Sequence, residues 1–199
     1  FSISLNLLLL EKIGMVRSGI FTNLLSNSLS KLKESTKKYS DYTNTNIPIE
    51  FAHFVHDKFP IIYAGEGWQA NCALRLRGQL AENAKILSSH LNFPEQNHNE
   101  IEGWTVNPDI MSRFSIIWLK DEEDHLGTKA RMRISSTLLE SSAGSQLDIS
   151  QPGGNRVERL LKLIHFTDWV SYYAALLNNV DPTPVNRIQE LKLKISEAV

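Results

Sequence analysis

Two short runs constrain this chain more than any other feature: Pro60-Ile-Ile-Tyr-Ala64 and Phe114-Ser-Ile-Ile-Trp-Leu119. Neither alternates strictly between apolar and polar residues, as a strand with one wet face does. A short run that is apolar on both sides and rich in β-branched and aromatic residues predicts a strand covered on both faces, the usual condition of a parallel sheet. Gly65-Glu66-Gly67 breaks the first run, and Trp68, Cys72, Leu76 and Leu80 then recur at every fourth residue. Strand, glycine turn and helix open a βα unit, and ligands of such sheets gather at the carboxyl ends of the strands. Cys72 lies on the apolar stripe and reads as core.

The remaining chain alternates in the same way. Ser145-Gln-Leu-Asp-Ile149 is a weaker third strand, and Asp121-Glu-Glu-Asp124 reads as the charged first turn of a helix over 122–139, where the helix dipole favours acids. A long helix over 156–178 carries Val157, Leu160, Leu161, Ile164 and Ala175 on one side, with Asp168 and Ser171 at its border, expected to satisfy polar groups near the core. Asp181-Pro-Thr-Pro184 ends it, and 186–197 forms an amphipathic closing helix that includes Lys192. Ahead of the first strand lie helices over 2–16 and 20–40, a polar turn over Ser40–Pro48 and a short helix over 49–57. The first of these is apolar on nearly every side, which predicts burial. Lys31, Lys33, Lys37 and Lys38 read as a solvated face of the second. The expected fold is therefore α/β: a three-layer sandwich with a mainly parallel sheet between helices, flavodoxin-like, plus extra N- and C-terminal helices. Residues 1–57 would form the N-terminal helices, and 58–199 the main domain with its closing helix.

At 199 residues the chain suits one domain with a sizeable core. A net charge of -1 gives no basic field for nucleic acid, and the apolar run at the N-terminus is too short to cross a bilayer. That run also lacks the basic flank and small-residue cleavage site of a secretion signal. One cysteine leaves no internal disulfide, which points to a reducing, cytoplasmic setting. Because the chain starts with Phe inside an apolar helix, it is expected to be part of a longer protein.

Proton-transfer groups concentrate between residues 75 and 104. Glu82-Asn-Ala-Lys85 closes one helix, and Pro94-Glu-Gln-Asn-His98-Asn99-Glu-Ile-Glu-Gly-Trp104 opens the next element. A carboxylate at a helix end near the carboxyl edge of a sheet is partly desolvated, which raises its pKa toward the range of a general base. Alone, such a Glu is more often a surface residue paired with lysine. His98, between two asparagines, could pass protons to a hydroxyl near neutral pH, although a single histidine is more often structural. The other histidines are scattered without metal-ligand spacing, and Gly65-x-Gly67 lacks the rest of a dinucleotide fingerprint. The same turn lacks the Ser or Thr residues that cradle phosphate, so a phosphate grip is expected elsewhere.

Taken together, these residues resemble the C-terminal half of the bifunctional phosphoglucose/phosphomannose isomerases, enzymes built from two sugar-isomerase (SIS) domains. The resemblance covers Ile61-Ile-Tyr-Ala-Gly-Glu66, Arg77-x-Gln79-Leu80-x-Glu82-Asn83-Ala84-Lys85 and Pro94-Glu95-x-Asn97-His98-Asn99-Glu100-Ile101-x-Gly103-Trp104. It continues through Asp168-x-x-Ser171-x-Tyr173-x-Ala175 and Asp181-Pro182-x-Pro184 to Ile188, Leu191 and Lys192. It implies that Glu82 carries a proton between C1 and C2 through a cis-enediol. It further implies that His98 opens the sugar ring by reaching into a partner subunit's site, and that Lys192 lies near the reacting end. Gly65, Glu66, Asn83, Asn99 and Thr183 are the substrate-binding candidates. The resemblance implies no metal and no cofactor, and as partners a sugar phosphate, an N-terminal SIS domain of the same protein and a second copy of the chain. Two departures stand out. The first SIS domain, with its phosphate loop and an enediolate-stabilising arginine, would lie before Phe1. Archaeal members also carry a threonine tied to mannose acceptance near Val185, where the nearest threonine here is Thr183. A non-catalytic sugar-phosphate-binding SIS module and a dimerisation domain are the alternative readings.

Overall fold

The computed structural model describes residues 2–42 and 46–198. The middle of the polar stretch read as a turn, residues 43–45, lies outside them. Four strands form one sheet: β1 (Phe59–Ala64), β2 (Ser89–Asn92), β3 (Phe114–Lys120) and β4 (Ser145–Ser150). Their order is β2-β1-β3-β4 and every pairing is parallel. Ile61 registers with Ser89 on one side and with Ile116 on the other.

The two fully apolar runs are β1 and β3, the central strands, each buried along nearly its whole length. Ile62, Ala64, Ile117, Leu119 and Ile149 face one layer, made by α3 (Ile47–Val55), α4 (Trp68–Gln79) and α7 (Arg156–Leu177). Ile61, Tyr63, Ile116 and Trp118 face the other, where Phe93, Trp104 and residues of α6 (Leu126–Leu138) pack. This is the three-layer α/β sandwich with a parallel sheet that the sequence predicts. Ala52 and Val55 of α3 are part of the same core.

Four features differ from expectation. Strand β2 is an additional, fourth strand; its sequence Ser-His-Leu-Asn carries neither β-branched nor aromatic residues, and its half-burial at a sheet edge tolerates that polarity. Helix α6 starts at Leu126, capped by the His125 ring, which accepts from the Gly127 amide at 3.1 Å. Asp121–Asp124 therefore form the loop before the helix rather than its first turn. Helix α1 (Ser2–Lys12) ends four residues early and has no buried residue; it packs on α2 (Ile20–Tyr39) and leaves Leu5, Leu9 and Ile13 exposed. An apolar helix needs neighbours on all sides to be buried, and these residues supply one. The Glu11 carboxylate fixes that pair by accepting from the amides of Gly19, Phe21 and Thr22 at 2.8, 2.7 and 2.9 Å. Finally, α4 runs into one turn of π-helix, Leu80–Ala84, instead of ending cleanly. Two 3-10 turns (Glu95–Asn97 and Glu100–Thr105) and the short α5 (Pro108–Met111) follow β2, and α8 (Asn186–Ala198) closes the chain.

Candidate functional site

Strand direction settles where each candidate residue lies. Helix α4 leaves the carboxyl end of β1 and runs back along the sheet. Its 12 residues span roughly 18 Å at about 1.5 Å per residue. The π turn bearing Glu82 therefore sits at the amino edge of the sheet. Hydrogen bonds agree: Asn178, at the end of α7, donates to the Ala84 carbonyl at 2.8 Å and pairs with His56, just before β1, at 2.8 Å. His98, Asn99, Gly65 and Glu66 lie instead at the carboxyl edge, where Phe93 N donates to Ala64 O at 2.9 Å. The expectation that Glu82 stands near the carboxyl edge is corrected by the antiparallel run of α4. One sequence stretch thus supplies residues to both edges.

At the amino edge the Glu82 turn is held from several sides. Asn83 Nδ2 donates to Ser171 Oγ at 2.9 Å, and that hydroxyl donates to the Asp168 carbonyl at 2.8 Å. The Asp168 carboxylate accepts from Arg75 at 2.8 and 2.9 Å and from Gln79 at 3.0 Å. Asp168 and Ser171 have the structural role expected of them, tying α4 and its π turn to α7. Asn83, a substrate-binding candidate, spends its amide on the same task. A π turn is frequently found at functional sites, because it re-aims side chains that a regular helix would space evenly. Lys85 follows in the left-handed region (φ 60°), at a cost of roughly 1–2 kcal/mol for a residue with a Cβ. Its Nζ donates to the Glu82 carbonyl at 2.5 Å and to the Pro184 carbonyl at 2.8 Å. The Glu82 side chain is exposed, and Lys85 bonds its carbonyl instead of pairing with its carboxylate. The loop thus reached contains Thr183, whose amide donates to Asp181 Oδ1 at 2.8 Å and holds that carboxyl below its usual range. Lys192 follows on α8, exposed.

The carboxyl edge carries a different chemistry. His98 is exposed on the turn after Glu95–Asn97, its amide bonded to the Glu95 carbonyl at 2.9 Å. The flanking carboxamides do not hold its ring: Asn97 bonds Gln96 and Ser135 at 2.8 Å each, and Asn99 bonds Glu95 at 2.9 Å. Beneath this loop Tyr63 donates to Glu100 at 2.6 Å and accepts from Trp104 Nε1 at 3.0 Å, an anchor that reaches the central strand. Burial and the Glu100 carboxylate push the Tyr63 phenol well above its usual value.

The topological switch point lies between β1 and β3, where open α/β sheets bind ligands. Here it is filled with carboxylates. A Cβ on Gly65 would stand 2.9 Å from Asp124 Oδ1 and 3.2 Å from Thr128 Cγ2, so a larger residue would push those side chains aside. Asp124 accepts from Gln69 and from the Asp121 amide at 2.8 Å each, and burial raises its carboxyl above the usual range. Arg159, 1% exposed, donates to both oxygens of Asp121 at 2.8 and 3.1 Å and also meets Glu122 and Glu123. Gly65 therefore faces a side chain of its own domain, while Glu66 is exposed. Elsewhere in the core, burial pushes the Cys72 thiol up to about 12, as a packing residue requires. Among the described residues, no group of three or more His, Cys, Asp or Glu is placed to hold a metal, and no helix is long and apolar enough to cross a membrane.

Strand order and layers are shared with sugar-isomerase (SIS) domains of known structure. The crystal structure of a glucose-6-phosphate isomerase like protein from Thermus thermophilus superposes with a TM-score of 0.68 at 19% identity, over 81% of this chain and 55% of that one. The sugar isomerase domain of an RpiR transcription factor from Sphaerobacter thermophilus gives 0.55 at 12% identity, over 80% and 92%. These likenesses concern the fold. The family model "Bacterial phospho-glucose isomerase C-terminal SIS domain" matches residues 44–195, and the chain belongs to that family. It is 33% identical over 193 residues to the bifunctional phosphoglucose/phosphomannose isomerase of Caldicellulosiruptor bescii, covering 96% of this chain and 56% of that protein. Against the enzyme of the same name from Aquifex aeolicus it is 30% identical over 179 residues, 90% of this chain and 54% of that protein. The chain spans about half the length of these curated relatives.

Proposed function

We propose that this chain is the C-terminal half of a sugar-phosphate isomerase that interconverts glucose 6-phosphate, mannose 6-phosphate or both with fructose 6-phosphate. Glu82 removes the C2 proton of the open-chain aldose, placing the charge on O1; the proton of the C2 hydroxyl passes to O1 through the cis-enediol stage, and Glu82 returns its proton to C1 as C2 becomes the ketone. His98 exchanges protons with the ring oxygen to open the sugar, and Lys192 steadies the developing oxyanion. Glu66, Asn99 and Thr183 remain the candidates for substrate hydroxyls, with Gly65 and Asn83 shaping the two edges.

The observation that carries this reading is an exposed carboxylate on a turn held by two neighbouring elements: Glu82 is exposed while Asn83, Ala84 and Lys85 are each hydrogen-bonded to α7 with its cap or to the loop before α8. An exposed carboxylate in water is a weak base, so the reading requires a cover that excludes water. An N-terminal SIS domain of the same protein is the natural cover. The carboxylates at the switch point of this domain disfavour an anion there, which supports a phosphate grip in that other half. The isolated 199 residues are therefore expected to be inactive, since phosphate binding positions the reacting carbons. Glu82 and His98 lie at opposite edges of one sheet, which supports a homodimer in which His98 serves the neighbour's Glu82.

Complementation of the whole protein tests this. Glu82→Gln and His98→Asn variants should each be inactive alone. After subunit exchange their mixture should regain a fraction of the activity, because one mixed site is intact. A mixture as inactive as its components would contradict the arrangement. The alternative, a non-catalytic sugar-phosphate-binding module, draws on the fold likeness to the RpiR domain. It would give a wild-type protein without isomerase activity.

A further inference from the structure

The loop and helix that end the chain are attached through the half-buried Pro182, Pro184 and Val185 and through one side chain that reaches them by a hydrogen bond. Among the described residues, the bond from Lys85 Nζ to the Pro184 carbonyl is the hydrogen bond that joins 181–198 to the rest of the domain. Helix α8 has no buried residue, and Ile188, Leu191, Leu193 and Ile195 are all exposed. Within this half of the protein, a 13-residue helix with so little tertiary support takes its direction from the segment that leads into it. That segment is stiff: Pro182 and Pro184 fix their own φ angles, and Asp181 accepts from the Thr183 amide.

The backbone at Lys85 does not ask for lysine. Its φ of 60° and ψ of 29° are a left-handed cap that glycine adopts most readily. What lysine adds is an ammonium that reaches two carbonyls at once, one on the Glu82 turn and one on the loop before α8.

We propose that Lys85 is a positioning residue for the isomerase reaction: its ammonium clamps the Asp181–Pro184 loop, and with it α8 and Lys192, to the turn that carries Glu82. This inference rests on the roles assigned above to Glu82 and Lys192. The lever is long enough to matter. Lys192 lies six residues into α8, roughly 9 Å along the axis, so a 10° swing displaces it by about 1.6 Å. A displacement near 1 Å can cost about 100-fold in rate. Loss of the clamp should therefore lower kcat about 10- to 100-fold with KM little changed, since the interaction lost is one made to the reacting end.

The test compares wild type, Lys85→Gly and Lys85→Met in the whole protein. Lys85→Gly suits the backbone and removes the ammonium; Lys85→Met keeps the stem. Isomerase kinetics are paired with a spin-label distance between Leu87→Cys, on an exposed position after the turn, and Lys194→Cys on α8. Cys72 is buried and remains unlabelled. The expected result is a narrow distance distribution in wild type, a broad one in both variants, and the fall in kcat with a melting temperature for Lys85→Gly close to wild type. An unchanged distance distribution overturns the proposal, as does an unchanged kcat in variants whose distribution broadens. If wild type itself shows no isomerase activity, the functional reading has failed instead, and the distance measurement alone still decides whether Lys85 is the clamp.

Discussion

Arg159 offers the sharpest test of what holds the carboxyl edge together. Its guanidinium and the Asp121 side chain are 1% and 2% exposed, joined by two hydrogen bonds at 2.8 and 3.1 Å. The same guanidinium bonds Glu122 and the Gly154 carbonyl at 3.0 Å each. These contacts tie the end of β3 to the first turn of α7, and Asp121 together with Glu123 drives the guanidinium pKa upward. Arg159→Met keeps the stem and its packing but leaves a buried carboxylate beside three other acids. Breaking a buried pair by removing one partner typically costs about 3–5 kcal/mol. For a domain of this size that lowers the melting temperature by about 6–20 °C, at about 2–4 °C per kcal/mol. Urea unfolding at neutral pH would read it as a lower midpoint with an unchanged slope. Replacing both partners, Arg159→Met with Asp121→Asn, removes the stranded charge. It should recover more than half of the loss, a coupling that a double-mutant cycle measures directly. A cost below about 1 kcal/mol for Arg159→Met, the level of an exposed pair, would refute the account of this edge.

Two further perturbations probe other joints. Glu11 is held to about 2 by the Thr22 and Gly19 amides. A carboxyl lowered on folding contributes its full stabilisation above the unfolded value near 4.5 and loses it as pH falls through about 2. Amide exchange at Gly19–Thr22 should therefore stay protected at about pH 5 and loosen toward about pH 2, and Glu11→Gln should loosen it at neutral pH; protection indifferent to both changes would refute the clasp. At the other joint, Ser171→Ala leaves Asn83 Nδ2 without its acceptor. The loss should be about 1–3 kcal/mol of stability by urea unfolding, and the isomerase activity proposed for the whole protein should fall more steeply than stability because the Glu82 turn loosens.

The central strands were legible because burial on both faces leaves only apolar residues, as in Ile61–Ala64 and Ile116–Leu119. An edge strand has no such signature: Ser89–Asn92 gains its place from backbone pairing with β1, which a side-chain pattern does not record. The four acids at 121–124 look like a helix start by composition, yet beyond bonds to their own loop amides their side-chain partners are Arg156, Arg159 and Gln69, residues distant in sequence. Glu82 and His98 were recognisable as a pair only through resemblance to a family. Periodicity locates each on its element but says nothing of which edge of the sheet it reaches. That placement needed the direction of α4 and the contacts of Asn178. The π turn likewise escapes a sequence reading, since its wider closure, the Lys85 amide donating to the Leu80 carbonyl, is secured by packing against α7.

The central claim is that Glu82 carries the proton, and exchange of the C2 hydrogen of glucose 6-phosphate with heavy water reports on that step directly. The whole protein should incorporate deuterium, and Glu82→Gln should lower incorporation by several orders of magnitude, as loss of an essential base does. Exchange that persists in Glu82→Gln at the wild-type rate would contradict the claim and move the base to another residue.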